Sequence, residues 1–283
     1  MLDLWFTEKW SENTKFSIKV KEHLYSEETP FQKIDFFTSD EYGRFFTLDG
    51  MIMITEKDEF IYHEMIAHVP MCTNLNIKRV LVIGGGDGGT VRELTRYNSI
   101  EKIDMVEIDE RVVRLSQKYL PFTSDRLEDE RVTLIFDDGL KFVEECESGA
   151  YDLILVDSTD PISVGEGLFT TEFYKNCFRV LKEDGILVNQ HESPYYERYA
   201  TEMKKAHEKI KNIFPIAKVY QFHQPTYASG HWLFGFASKK YDPVSDCNES
   251  AWNALGLETN YYNTDIQRAA FALPNYVKKQ LEK

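Results

Sequence analysis

The spacing of hydrophobic positions changes character near residue 57. Before that point the chain alternates. Phe16–Val20 places apolar side chains at every second position, and Phe31–Thr38 is aromatic and β-branched. Phe45–Leu48 and Met51–Ile54 flank Asp49-Gly50, the signature of a hairpin turn. Residues 1 to about 55 therefore predict a small antiparallel sheet without a helix. From Asp58 to about Met71, Phe60, Ile61, Met65, Ile66 and Val69 recur at helical spacing. Beyond this helix, strands at Arg79–Ile83, Lys102–Ile108, Val132–Phe136, Tyr151–Val156 and Gly185–Asn189 alternate with helical stretches running to Arg96 and over Glu110–Leu120, Gly139–Glu145, Thr171–Leu181 and Tyr196–Phe214. Lys218–Phe222 and Leu233–Ser238 read as closing strands. Strands alternating with helices predict an α/β fold with a doubly wound, mostly parallel sheet, and ligands in such sheets sit beyond the carboxyl ends of the strands. The expected division is a β-strand domain over residues 1–56 and a larger Rossmann-like domain over 57–283, with chemistry in the loops after Ile83, Ile108, Phe136, Val156 and Asn189.

Composition narrows the class of partner. The 283 residues carry 33 Lys plus Arg against 47 Asp plus Glu, a formal charge of -14, which disfavours nucleic-acid backbones and anionic membranes and is compatible with a cationic substrate, as it is with a merely well-solvated surface. Cys72, Cys146, Cys177 and Cys247 are too scattered for a C-x-x-C metal or redox pair and read as reduced thiols. The first ten residues, with neither a basic nor an apolar leader pattern, and the lack of a membrane-length apolar run lead to an expected cytoplasmic location.

Gly84-Gly85-Gly86-Asp87-Gly88-Gly89 follows an apolar strand and opens a helix, and taken literally it satisfies the dinucleotide pattern G-x-G-x-x-G. Asp87 argues against a pyrophosphate in that loop. A carboxylate about 4 Å from a phosphate charge costs on the order of 4 kcal/mol per charge pair at an effective dielectric near 20. The same carboxylate favours a sulfonium or ammonium, so the loop suits a nucleoside without phosphates whose tail is positive. Asp87 can also cap the following helix, and the two roles are compatible. Glu107 and Asp138 stand at the ends of the next two strands, where the first suits ribose hydroxyls and Asp138-Gly139 the adenine edge. The fourth strand ends in Asp157-Ser158-Thr159-Asp160-Pro161, two carboxylates flanking two hydroxyls. Paired acids serve acid–base chemistry, cation binding or metal ligation. No His or Cys cluster completes a transition-metal shell, and a hydrated Mg²⁺ stays open for this loop.

These motifs, in this order and with Val106-Glu107-Ile108-Asp109, Pro225-Thr226-Tyr227, Tyr261-Tyr262-Asn263 and Ala269-Ala270-Phe271-Ala272-Leu273-Pro274, resemble the spermidine synthase family of polyamine aminopropyltransferases. The resemblance extends over nearly the whole chain, including Phe31-Gln32, Leu48-Asp49-Gly50 and Asp58-Glu59-Phe60-Ile61-Tyr62-His63-Glu64. It implies a methyltransferase-type sheet behind the β-domain and a reaction in which the aminopropyl group of decarboxylated S-adenosylmethionine passes to a diamine, foremost putrescine, giving spermidine and 5'-methylthioadenosine. It further implies Asp157 as general base. Asp160, Ser158 and Thr159 would meet the acceptor, and Tyr62, His63 and Tyr227 would line its channel. Glu192 and Trp232 would face the far amine, and Asp87 would hold the donor's amine. Gln32, Gly84, Gly86, Glu107, Ile108, Asp138, Gly139 and Val164, together with Asp87 and Asp157, would surround the donor. No cofactor and no metal are expected, and the resemblance implies a homodimer or homotetramer. Two departures stand out. Ser163-Val164-Gly165 replaces a usual Gly-Pro-Ala run in the loop expected to cover the donor, and Tyr195 stands where Trp is commoner. A methyltransferase on the same scaffold, a catalytically inactive polyamine-binding protein and a nicotinamide dehydrogenase are the rival readings.

Overall fold

The computed structural model describes residues 3–158 and 166–282. The N-terminal segment folds as β1 (Leu4–Ser11) and β2 (Thr14–Val20), an antiparallel pair, and as β3 (Glu22–Glu28), β4 (Lys33–Ser39), β5 (Gly43–Leu48) and β6 (Met51–Thr55), a four-stranded antiparallel sheet in that order. The hairpin at Asp49-Gly50 forms as the pattern predicts, both turn residues having positive φ. β1 and β3 were not legible, because neither carries a clean alternation. β1 leaves Leu4 and Trp5 exposed while burying Glu8, and β3 has no buried residue.

The remainder runs α1 (Glu59–Thr73), β7 (Arg79–Gly84), α2 (Gly89–Thr95), β8 (Lys102–Glu107), α3 (Glu110–Tyr119), α4 (Pro121–Ser124), β9 (Val132–Phe136), α5 (Gly139–Glu145), β10 (Tyr151–Asp157), α6 (Thr171–Val180), β11 (Leu181–Gln190), α7 (Glu197–Lys211), β12 (Ile216–His223), β13 (His231–Ser238), α8 (Glu249–Ala254), α9 (Thr264–Ala270) and α10 (Asn275–Leu281). The sheet order is β12-β13-β11-β10-β7-β8-β9. Five neighbouring strands pair in parallel, and β13 joins antiparallel to both β11 and β12. Strand order reverses between β7 and β10, the crevice where doubly wound sheets bind ligands. There Asp157 pairs with Gly84.

Alternation along β7 divides the core. Val80 and Val82 join the cluster under α1, α2, β12 and β13, while Leu81 and Ile83 join Phe173, Tyr174 and Ile210 on the opposite face. The N-terminal sheet shares a third cluster with α3: Ile34, Phe36, Phe46, Leu48 and Ile54 pack with Val112, Leu115 and Leu120. β11 begins at Leu181, four residues before the expected strand, with a register irregularity in its pairing to β10.

α1 is buried nearly all round, including Glu59, His63, Glu64 and His68. A helix so placed needs a partner for each polar side chain. The Glu64 carboxylate accepts the backbone N–H groups of Asn260, Tyr261 and Tyr262, each at 2.8 Å, and so ties the C-terminal segment to α1. Just before the helix, Asp58 accepts the hydroxyls of Thr55 at 2.7 Å and Thr226 at 2.8 Å and the Thr226 N–H at 3.2 Å. This one carboxylate joins the end of β6, the start of α1 and the loop between β12 and β13. Asp58→Ala strands the Thr226 hydroxyl and N–H in the interior. Urea unfolding should show a loss of about 2–3 kcal/mol, and an unchanged midpoint would show that the loop is held by other contacts.

Candidate active site

The cleft at the switch point is assembled from all three sheets. β7 delivers the glycine turn, β10 delivers Asp157, α1 delivers Tyr62 and His63, and the β12–β13 loop delivers Tyr227 and Ala228. β1 and β6 close it with Glu8, Trp10 and Met53, leaving about 1290 Å³ of space including the open mouth.

The glycine turn is shaped by close approach. Gly84 has φ +80, and a Cβ there would lie 2.1 Å from the Asp157 carbonyl oxygen. That oxygen accepts the Gly85 N–H at 2.8 Å, fixing the turn against β10. At Gly89 a Cβ would fall 2.2–2.5 Å from three atoms of the His63 ring. Only hydrogen at that position lets the imidazole lie against the start of α2.

His63 is fully enclosed and bridges two carboxylates. Nδ1 lies 2.6 Å from Glu59 Oε2, and Nε2 lies 3.2 Å from Asp87 Oδ1. Burial pulls the imidazole's proton affinity down, but the charge and hydrogen bond of Asp87, then those of Glu59, raise its pKa to about 10. For Asp87, burial pushes upward and the imidazolium with the Gly89 N–H pushes further the other way, so it titrates below the usual carboxylate range. Asp87 Oδ1 also accepts that N–H at 2.8 Å, so the capping role and the pairing with a cation coexist.

Asp157 responds in the opposite sense. Burial first and the Asp87 charge second raise its pKa above the usual value, against the lowering effect of His63 and of hydrogen bonds from Thr90 and Tyr62. The Thr90 hydroxyl donates to Oδ2 at 2.6 Å. Glu107 titrates at about 7, chiefly because it is buried, although it accepts the Asp109 N–H at 3.0 Å. The two acids at successive strand ends differ in setting. Asp138 is exposed at the rim and caps α5 through the Leu140 N–H at 2.9 Å, with Gly139 beneath it against Ile83. Gln32 reaches in from the N-terminal sheet, its amide donating to Asp109 at 3.1 Å, and that carboxylate caps α3.

An aromatic wall leads away from Asp157. Tyr62 and Tyr227 have ring centroids 6.1 Å apart, Tyr227 and Trp232 5.1 Å, and Trp232 and Tyr199 6.0 Å. Such faces accept methylene chains and their cationic ends. Gln32, Tyr62, His63, Gly84, Gly86, Asp87, Glu107, Ile108, Asp138, Gly139, Asp157, Ser158, Tyr227 and Trp232 all line one cleft, as the sequence reading expected them to share a site. Glu192 does not line it. It is buried with φ +69, and Gln190, two residues earlier, is part of the lining. Thr159, Asp160 and Val164 lie outside the described residues, as do Ser163 and Gly165 in the loop expected to cover the donor, of which Glu166–Phe169 form a 3₁₀ turn. Among the described residues, no cluster of His, Cys, Asp or Glu has the arrangement of a metal site, and no helix is long and apolar enough to cross a membrane.

Sequence reasoning missed Glu8, Trp10, Gln190 and Tyr199. Glu8 and Trp10 stand two apart on a strand, so they share a face, but the strand itself went unread. Glu59 had a usable signal: it stands four residues before His63 on a predicted helix.

Two family models match the chain. Residues 4–56 match one described as the spermidine synthase tetramerisation domain, and residues 59–248 match the spermine/spermidine synthase domain. The polyamine aminopropyltransferase of Clostridium acetobutylicum is 69% identical over 284 residues, covering 100% of this chain and 99% of its own. That of Alkaliphilus oremlandii is 67% identical over 282 residues, with 100% and 99% covered. Among solved structures, a spermidine synthase in complex with the transition-state analogue AdoDATO superposes with a TM-score of 0.96 at 42% identity, covering 99% of this chain and 95% of that one. Spermidine synthase from Thermotoga maritima gives 0.93 at 41%, covering 99% and 94%. With both models matched and relatives this close along the full length, the chain belongs to the spermine/spermidine synthase family of polyamine aminopropyltransferases and is a transferase.

Proposed function

We propose that the chain transfers the aminopropyl group of decarboxylated S-adenosylmethionine to putrescine, giving spermidine and 5'-methylthioadenosine, with Asp157 as general base. The observation that carries this reading is the setting of Asp157. Its carboxylate ends β10 at the switch point, is fixed by Thr90 and Tyr62, and is made more basic by burial and by Asp87. An acceptor ammonium ordinarily titrates near 10.4, far above an aspartate near 3.9. The raised affinity of Asp157 narrows that gap from one side, and the donor's sulfonium narrows it from the other by acidifying the amine. The nitrogen pair attacks the propyl carbon, the carbon–sulfur pair leaves on a neutral thioether, and the proton lost from nitrogen goes to Asp157. Charge is thereby removed from sulfur, and alignment of amine, carbon and sulfur accounts for much of the rate.

In this reading Glu107 takes the ribose hydroxyls, with Gln32, Gly84, Gly86, Ile108, Asp138 and Gly139 around the nucleoside. Asp87 faces the donor's amine, and Tyr62, His63, Ser158, Tyr227 and Trp232 face the acceptor. Thr159, Asp160 and Val164 keep the roles the resemblance implies, and Glu192, two residues from the lining residue Gln190, keeps its place toward the far amine. The negative charges of Asp87 and Asp157 disfavour the carboxylate tail of S-adenosylmethionine itself, which weighs against a methyltransferase. Residues 1–56 as an assembly domain, residues 57–283 as the catalytic domain, a homodimer or homotetramer, and a cytoplasmic location complete the proposal. The described tetramerisation model supports the assembly.

Incubation with decarboxylated S-adenosylmethionine and, separately, putrescine, cadaverine or spermidine should yield methylthioadenosine with the extended amine, putrescine being preferred. Methyl transfer from S-adenosylmethionine without aminopropyl transfer would overturn the reading. Asp157→Asn should lower turnover by about 10²–10⁴-fold while methylthioadenosine still binds. Turnover within a few-fold of the parent would remove Asp157 from the role of base.

A further inference from the structure

Behind His63 the carboxylate–imidazole pair continues away from the cleft. Arg92 clamps Glu59 with two bonds, Nη1 to Oε1 at 2.8 Å and Nη2 to Oε2 at 3.0 Å, and its Nη1 also donates to the Phe122 carbonyl at 2.8 Å. Its Nε reaches Glu93 at 3.0 Å. The order from the far side to the cleft is therefore guanidinium, carboxylate, imidazole, carboxylate, with the signs alternating. Glu59 and Arg92 do not line the cleft; they line a charged depression on the other side of α1 and α2. Buried charges persist only where each is paired, and here every member has an opposite partner.

We propose that Glu59 and Arg92 are positioning residues for the transfer: through the bonds Arg92–Glu59–His63–Asp87 they hold the His63 ring cationic against Asp87, leaving Asp157 as the carboxylate that takes the acceptor's proton. This inference rests on the function proposed above. Without a cation at His63, Asp87 and Asp157 face each other as two carboxylates in one enclosed space, and such pairs hold a shared proton. The charged and titratable groups around His63 are Glu59, Tyr62 and Arg92 on its helix side, Asp87 in the glycine turn, and Asp157 on β10. Around Asp157 stand Asp87, His63 and Tyr62, with Glu107 coupled to it by charge. The alternating chain explains why Glu59 itself stays ionised. Burial works against it, and His63 and then Arg92 more than offset that.

The sign follows from the chain. Glu59→Gln keeps an oxygen facing His63 but removes the charge, so the ring releases its proton at lower pH. A neutral ring no longer lowers the proton affinity of Asp157, which must then be deprotonated at higher pH. In aminopropyl transfer, the acid limb of kcat/KM should move up by about one pH unit in Glu59→Gln. His63→Gln should move it the same way, and the double variant should move it no further than His63→Gln alone, since Glu59 acts through the ring. Methylthioadenosine affinity within twofold of the parent shows that the cleft is intact. A limb that stays in place while the rate falls equally at every pH would overturn the proposal, as would shifts that add. NMR titration of the His63 ring, which needs no turnover, separates this from failure of the functional reading. If the parent transfers no aminopropyl group, the functional reading fails. A ring that loses its proton below pH 8 in Glu59→Gln but not in the parent still supports the charge chain, and identical titration in both overturns it.

Discussion

A protonated histidine enclosed between two carboxylates constrains much of what surrounds it. Placing a charge in the interior is prohibitive unless it is paired and hydrogen-bonded. His63 meets that requirement only if Glu59 and Asp87 arrive from opposite sides at 2.6 and 3.2 Å. Glu59 arrives because it lies one helical turn earlier on α1, and Arg92 holds it there. Asp87 arrives because the glycine turn folds back from β7 and its own carboxylate accepts the Gly89 N–H at the start of α2. The ring occupies the space a side chain at Gly89 would need. The burial of α1, the glycine at the start of α2 and the two-sided clamp on Glu59 are thus one arrangement.

The sheet gives that arrangement its direction. Because strand order reverses between β7 and β10, the loops after these two strands diverge and open a cleft, and the Gly85 N–H bonded to the Asp157 carbonyl locks its floor. On one side lie groups suited to an uncharged nucleoside, with Glu107 and Asp138 at successive strand ends. On the other lies the row of Tyr62, Tyr227, Trp232 and Tyr199, suited to a chain of methylenes ending in cations. Asp157 sits where the two halves meet. In the proposed transfer a sulfonium donor and an ammonium acceptor both carry positive charge, and the carboxylates at the meeting point would offset the repulsion between them.

Much of this was legible in the chain because it is local. The glycine run after an apolar strand, the Asp49-Gly50 hairpin and the acids at strand ends each follow from residue types at short spacing, and they placed the glycine turn, Glu107, Asp138 and Asp157, while Gln32, Tyr62, His63, Tyr227 and Trp232 came from the resemblance alone. Long-range pairing was not legible. Nothing near Glu64 indicates that it receives three N–H groups from Asn260, Tyr261 and Tyr262, and α8, α9 and α10 went unread for lack of a long apolar period. β1 was missed because Glu8, which lines the cleft, interrupts the row Leu4, Phe6 and Trp10, and Trp5 stands on the other face. Glu192, named through the resemblance, is not part of the described lining, whereas Gln190 is. That Asp87 also meets a cation inside the fold, His63, has no signal at short spacing.

The central claim is the charge on that ring, and neutron diffraction from deuterated crystals grown at pH 8 observes it directly. The account predicts deuterium on both Nδ1 and Nε2 of His63 and none on the carboxylates of Glu59 and Asp87. A ring nitrogen without deuterium, with the proton instead on Glu59 or Asp87, would contradict it.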